Sequence, residues 1–240
     1  MIREIETEEE LFGALKALPN DLFTGKLRAL AKGYGVKYPF LRFYFLGRSG
    51  VLARYYGSAV LSGAADAEAA VFAETIPIRE LFLPERAYRD AFPEFSAKRL
   101  NILKYGGKAD RAERFPDEEI RINPPYESVF AILREGFPEL RFDEWYPDAC
   151  HNVRHGIAAF YTLGESAAEC AFAENGIAML TAVAAKKSSR GAGRTLRLVK
   201  TLAAHYAREN EVFLVCEDGL VPFYEKADFR KSGSAVLIKI

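Results

Sequence analysis

Cysteine is scarce in this chain: Cys150, Cys170 and Cys216 are odd in number and contain no CxxC pair, which excludes a zinc ribbon and a disulfide framework. Net charge is missing too. The 33 basic side chains balance 33 acidic ones, so there is no electrostatic footprint for gripping RNA or DNA. No apolar run reaches the length that crosses a bilayer, and the first residues, MIREIETEEELF, are acidic where a signal peptide would be basic and then apolar. The expectation is a cytoplasmic protein with neither a nucleic-acid nor a membrane partner; composition leaves the oligomeric state open. Two phosphate-binding signatures are also absent: no GxxxxGK[ST] occurs, and no GxGxxG opens an early βαβ unit.

What is present suffices for a packed core, since half of the 240 residues are hydrophobic. Apolar residues at Leu11, Phe12, Leu15 and Leu18 recur at helical spacing and stop at Pro19-Asn20-Asp21. A second helix is expected over Leu22 to Lys32, and an antiparallel meander over Leu41–Gly47, Val51–Tyr56 and Ser58–Leu61. Between Tyr105 and Pro125 the chain turns polar, with Gly106-Gly107, the charged run Lys108 to Arg114 and Asn123-Pro124-Pro125. A domain boundary is placed there, dividing 1–115 from 116–240.

After it the order repeats. A helix is expected over Glu127 to Arg134, another through Arg154, then strands at Ile157–Leu163, Ala167–Ala173 and Ile177–Ala184. FYFLG at Phe43–Gly47 aligns with FYTLG at Phe160–Gly164, and SAVLSG at Ser58–Gly63 aligns with IAMLTA at Ile177–Ala182, at nearly equal spacing. The pairing suggests a duplicated half-domain, although apolar strands and glycine turns also resemble one another by chance.

The chemistry concentrates in Leu180 to Tyr206, where a strand-like run meets a polar turn with two glycines and then a helix with apolar Leu196, Val199, Leu202 and Ala203. Such a turn leaves the amides of Gly191, Ala192, Gly193, Arg194 and Thr195 without intrahelical partners at the positive end of the helix dipole, a place that stabilises a diphosphate. Arg190, Arg194 and Arg197 surround it with guanidinium groups, whose geometry suits phosphate oxygens.

Arg190-Gly191-Ala192-Gly193-Arg194-Thr195 resembles the diphosphate loop of the GCN5-related N-acetyltransferase (GNAT) family, departing at Thr195, where the family has Gly or Ala. TAVAA at Thr181–Ala185 looks like the strand that precedes that loop. VPFYEKADF at Val221–Phe229 is similar to the family's short helix, departing at Asp228, where glycine is usual. The resemblance implies an α/β fold with a mixed, mostly antiparallel sheet flanked by helices; if the paired blocks reflect duplication, the N-terminal part is a degenerate copy of the same half-domain. It implies acetyl-CoA as co-substrate and direct acetyl transfer to an amine, a small molecule or peptide. The departures at Thr195 and Asp228 would equally suit an acyl-CoA-binding protein without turnover, acting as a sensor or assembly module.

By position, the resemblance gives the backbone of Val183, Ala184 and Ala185 to the pantetheine arm, an amide near Val183 to the oxyanion, and Tyr224 to the departing thiolate as proton donor. Tyr224 could instead simply pack with Phe223 and Phe229. Glu217 and Glu174 are candidate bases, or ordinary solvated carboxylates. Trp145, Asp148 and His151 are candidate acceptor contacts, though Trp145 could equally anchor a core. His151 and His155 share a helical face, but no third ligand has metal-binding spacing, so no metal is expected. Lys186 and Lys187 are read either as contacts to the 3′-phosphate or as a solvated turn, and Cys216 as a small buried residue.

Overall fold

The computed structural model describes residues 2–47, 49–109 and 119–240. The boundary expected at 115/116 falls outside them, as does part of the charged run before it. Contacts group the chain into two units, Met1–Ile102 with Gly233–Ile240, and Leu103–Ser232. None of the described helices is long and apolar enough to cross a membrane.

The elements come in two identical series. The first runs β1 (Arg3–Glu4), α1 (Glu8–Ala17), α2 (Leu22–Tyr34), β2 (Leu41–Leu46), β3 (Gly50–Tyr55), β4 (Ser58–Gly63), α3 (Ala67–Thr75), β5 (Glu80–Pro84), α4 (Glu85–Ala91) and β6 (Ala97–Tyr105). The second repeats it: β7 (Arg121–Ile122), α5 (Tyr126–Leu133), α6 (Phe142–Arg154), β8 (Ala159–Leu163), β9 (Ser166–Glu174), β10 (Ile177–Ala185), α7 (Arg194–Tyr206), β11 (Glu211–Cys216), α8 (Val221–Glu225) and β12 (Phe229–Lys239). The paired sequence blocks fall on β2 with β8 and on β4 with β10, so the duplication read from the sequence is present in the fold. Gly47 and Gly164, which end the FYFLG and FYTLG blocks, both have positive φ (61° and 57°), a conformation open to glycine at no steric cost.

In the first unit β1-β2-β3-β4-β5 lie in that order with the later part of β12 beside β5, and in the second β11-β10-β9-β8-β7 lie in that order with the last residues of β6 beside β11; both β6 and β12 are divided between the units. Each series therefore gives the end of its last strand to the other: β12 closes the first unit by pairing antiparallel with β5, Ala235 opposite Pro84 through Lys239 opposite Glu80. Most pairs are antiparallel; β4 with β5 and β10 with β11 are parallel.

The second unit's sheet is covered on two faces. Helix α7 buries Leu198, Val199, Leu202 and Ala203 with Tyr161, Cys170, Ala178 and Leu180 of the strands. Full burial of each large aliphatic side chain contributes about 1.5–3 kcal/mol, ample for a helix whose first turn carries no stabilising acid. The opposite face packs Val129, Ile132 and Leu133 of α5 and Ala149 of α6 with Phe160, Ala167 and Ala184. Phe160 and Tyr161 thus face opposite ways, as strand alternation requires.

Candidate functional site

Strand β10 carries the site's geometry, beginning with a break in alternation. Leu180 joins the core under α7, yet Ala182 and Ala184 pack with α5 and α6. Positions 180, 182 and 184 of a regular strand would share one face. The register explains the reversal: Thr181 pairs with Glu169 and Ala184 with Ala167, three steps on β10 against two on β9. This is a β-bulge, and Ala182 stands in it with φ 49°. No glycine marks the position, so the bulge left no signal in the sequence.

The other edge of β10 opens at the same level. Its parallel pairing with β11 runs only from Ile177 opposite Glu211 to Met179 opposite Phe213. Beyond Met179 the two strands part, and residues Leu180 to Ala185 have no ladder partner on that side among the described strands. Val183, Ala184 and Ala185, assigned to the pantetheine arm, lie along this freed edge.

The chain then makes a 3-10 turn at Lys187–Ser189 and enters α7 through Gly191 and Gly193, with φ 86° and 74°. Gly193 is the N-cap and offers no side-chain cap. The Arg197 amide donates to the Gly193 carbonyl at 3.0 Å, and the Ala192 amide reaches the Ser189 carbonyl at a long 3.4 Å. The amides of Gly191, Gly193, Arg194, Thr195 and Leu196 have no acceptor among the described residues. Of the five amides expected to be open, Ala192 is therefore the exception. Among the described helices of eight or more residues, α7 stands apart in having neither a side-chain cap nor an acid in its first turn. It places Arg194 and Arg197 there instead, a choice that costs about 0.3–1 kcal/mol per charge against the helix dipole unless an anion joins them.

The cations divide in their present contacts. Arg190 folds back to protein carbonyls, Nη2 donating to Glu135 at 3.0 Å and Nε to Ala185 at 3.3 Å. Arg197 pairs with Glu119 at 2.8 Å, and Lys186 with Glu165 at 3.4 Å. Arg194 lies over Gly164: a Cβ added there would sit 3.4 Å from its Cδ. Hydrogen bonds from Ser188 and Lys186 hold the Glu165 carboxyl below the usual range.

Tyr224 is buried in α8, with ring contacts to Phe223 at 5.1 Å and Phe229 at 6.3 Å. It belongs to the core under α7, together with Cys216 and Ala227. Burial pushes the phenol's pKa up, with Cys216 adding to the effect, so it stays protonated. Burial likewise raises Cys216 to about 11, leaving a thiol rather than a nucleophilic thiolate. The departure at Asp228 has a local account. Its φ is 64°, a conformation aspartate tolerates better than most residues, and its carboxylate pairs with Lys200 at 2.8 Å.

Glu217 is exposed directly after β11, at the end where that strand has left β10. Glu174 is not brought there. It pairs with Ile177 at the β9–β10 turn, the opposite end of β10 from Ala185, roughly 26 Å away along an extended strand. Trp145 packs edge-on to Phe160 at 5.4 Å, within a cluster including Tyr126, Phe130 and Phe142. His151 instead borders a groove of about 640 Å³ along α6, with Tyr146, Pro147, Cys150, Arg154 and His155. Its ring centroid is 4.2 Å from that of His155. Asp148 is half-buried on the same helix and does not line the groove. No group of three or more metal-ligating side chains occurs among the described residues.

No protein-family model and no curated protein matches the sequence. Solved structures do match in fold. A GNAT-family acetyltransferase from Colwellia psychrerythraea aligns over 100% of this chain and 99% of its own, with 14% identity and a TM-score of 0.58. A tandem GNAT protein from the clavulanic acid biosynthesis pathway aligns over 100% and 98%, with 12% identity and a TM-score of 0.57. A GCN5-related N-acetyltransferase from Sphaerobacter thermophilus aligns over 100% and 95%, with 12% identity and a TM-score of 0.58. The chain has the fold of GNAT acetyltransferases, and its likeness to a tandem protein agrees with the doubled series of elements.

Proposed function

We propose that the second unit binds acetyl-CoA and transfers its acetyl group directly to an amine. The observation that carries this reading is the coincidence of three features on one strand. Strand β10 bulges at Ala182, parts from β11 after Met179, and leads into a helix whose open amides and arginines suit a diphosphate. The family resemblance in the loop and in the short helix around Tyr224 points to the same occupant, and the fold is that of acetyltransferases.

In this reading the diphosphate lies on the amides of Gly193, Arg194 and Thr195, and Arg194 supplies the nearby charge. The pantetheine arm runs along the freed edge of Val183 to Ala185, forming the hydrogen bonds that β11 has given up. A neutral amine attacks the thioester carbonyl, an amide near Val183 meets the oxyanion, and collapse breaks the carbon–sulfur bond. The phenol of Tyr224 donates its proton to the departing thiolate, and the acceptor's surplus proton passes through Glu217 or water, from which Tyr224 regains its own. The groove beside His151 is the proposed acceptor side.

The alternative of acyl-CoA binding without turnover drew on the departures at Thr195 and Asp228. Both have partners that accommodate them, Ser166 at 2.8 Å and Lys200 at 2.8 Å, so they do not weigh against catalysis. Calorimetry with acetyl-CoA tests the binding half; absence of binding removes the proposal. Thiol release over a panel of amines tests the catalytic half, and binding with no release would leave the sensor in its place.

A further inference from the structure

The loop entering α7 is held from both sides by one short turn, the β8–β9 hairpin at Gly164–Ser166. On the incoming side the Glu165 carbonyl accepts from the Lys186 amide at 3.0 Å, and its carboxylate accepts from the Ser188 hydroxyl at 2.9 Å. On the outgoing side the hydroxyl of Ser166 meets that of Thr195 at 2.8 Å. Ser166 is completely buried, and Thr195 lies in the first turn of α7, among the open amides.

We propose that Ser166 is a positioning residue for the diphosphate loop, acting through Thr195 to fix the direction of the first-turn amides. The inference rests on the acetyl-CoA reading above. It also gives Thr195 a reason to stand where glycine or alanine would serve: its side chain is spent on a tie to the hairpin rather than on the ligand. The buried hydroxyl of Ser166 and the half-buried one of Thr195 form a single tie, so their contributions are interdependent. Removing either one abolishes the tie, and removing both abolishes nothing more.

That interdependence sets the test, in which binding is measured for acetyl-CoA and, by competition, for S-acetylpantetheine, which lacks the diphosphate. Ser166→Ala and Thr195→Ala should each weaken acetyl-CoA binding about five- to tenfold, the equivalent of one lost buried hydrogen bond. Neither should change the affinity for S-acetylpantetheine. The double variant should lose no more than either single one, because the tie is already gone in each. Losses that simply add in the double variant, losses shared equally by S-acetylpantetheine, or single variants that bind as the wild type does would each overturn the role of Ser166. Thermal unfolding of all three variants separates a misfolded protein from a loosened loop, and the double variant carries the decision if a single one fails to fold. Failure of the wild type to bind acetyl-CoA is a different outcome and removes the underlying function.

Discussion

Asp66 and Gly193 hold the same N-cap position in the two series, ahead of α3 and α7, and fill it with opposite chemistry. The Asp66 carboxylate accepts from the Ala69 amide at 3.2 Å, whereas Gly193 has no side chain to cap its helix. The strand before α3 also lacks the bulge, since β3 and β4 pair without a shift from Gly50 opposite Gly63 to Tyr55 opposite Ser58. One copy supplies its own anion to the helix, and the other leaves that place open.

The stoichiometry of acetyl-CoA should therefore be one per chain. Gly193→Asp should weaken binding at least tenfold, because the new carboxylate takes the amides and repels the diphosphate; aspartate tolerates the left-handed backbone at this position. Calorimetry reads both quantities. Two equivalents bound per chain would contradict the division of labour between the copies.

Ala182 tests the bulge. Replacement by glycine relieves the left-handed conformation and should preserve affinity within twofold while raising stability by up to about 1 kcal/mol. Replacement by valine, whose branched side chain is poorly suited to positive φ, should remove the bulge and with it acetyl-CoA binding. Equal binding by the two variants would disconnect the bulge from the ligand.

Tyr224→Phe should bind acetyl-CoA as the wild type does and release thiol about a hundredfold more slowly, the scale of a single positioned proton donor. Because burial raises its pKa above the ordinary tyrosine value of 10.0, Tyr224 itself should cause no loss of rate below that pH. Turnover unchanged in the phenylalanine variant excludes the phenol as donor.

Placement separates the two acids. Glu174→Gln, altered at the far turn of β10, should leave the rate of thiol release within twofold, while Glu217→Gln should lower it about tenfold or more. The reverse result would move the base to the β9–β10 turn.

Alkali should unfold the second unit early. Burial raises Cys216 to about 11 and both Cys170 and Tyr161 to about 12, from 9.0 for the thiols and 10.0 for the phenol. Well below pH 9 both states hold these protons, and the three groups add no pH dependence to stability. As pH rises from 9 to 12 the unfolded chain loses them first, so stability falls by up to about 1.4 kcal/mol per pH unit for each group in transition. Urea midpoints at pH 8, 10 and 11 measure this decline; a flat series would show that the groups are solvated.

Much of the fold was readable because it rests on local signals. The apolar spacing of α1 and α7 and the glycine-ended blocks of β2 and β8 needed no knowledge of distant residues. The stretch 64–105, which contains α3, β5, α4 and β6, is far less legible. Helix α3 is largely alanine and buries Ala69, Ala70 and Ala73, so it shows little contrast between apolar and polar faces. The loop from Arg190 to Thr195 and the helix around Tyr224 were legible because glycine, arginine and aromatic side chains at fixed spacing carry their chemistry with them.

The sequence by itself determined the repeat, the phosphate-suited loop and the types of residue available for catalysis, all properties of neighbours along the chain. Tertiary structure decided which of them meet. The exchange of β6 and β12, the bulge at an alanine, the parting of β10 from β11 and the Ser166–Thr195 tie depend on residues far apart in sequence. Such pairings are fixed by the joint packing of two sheet faces, so no local pattern could announce them.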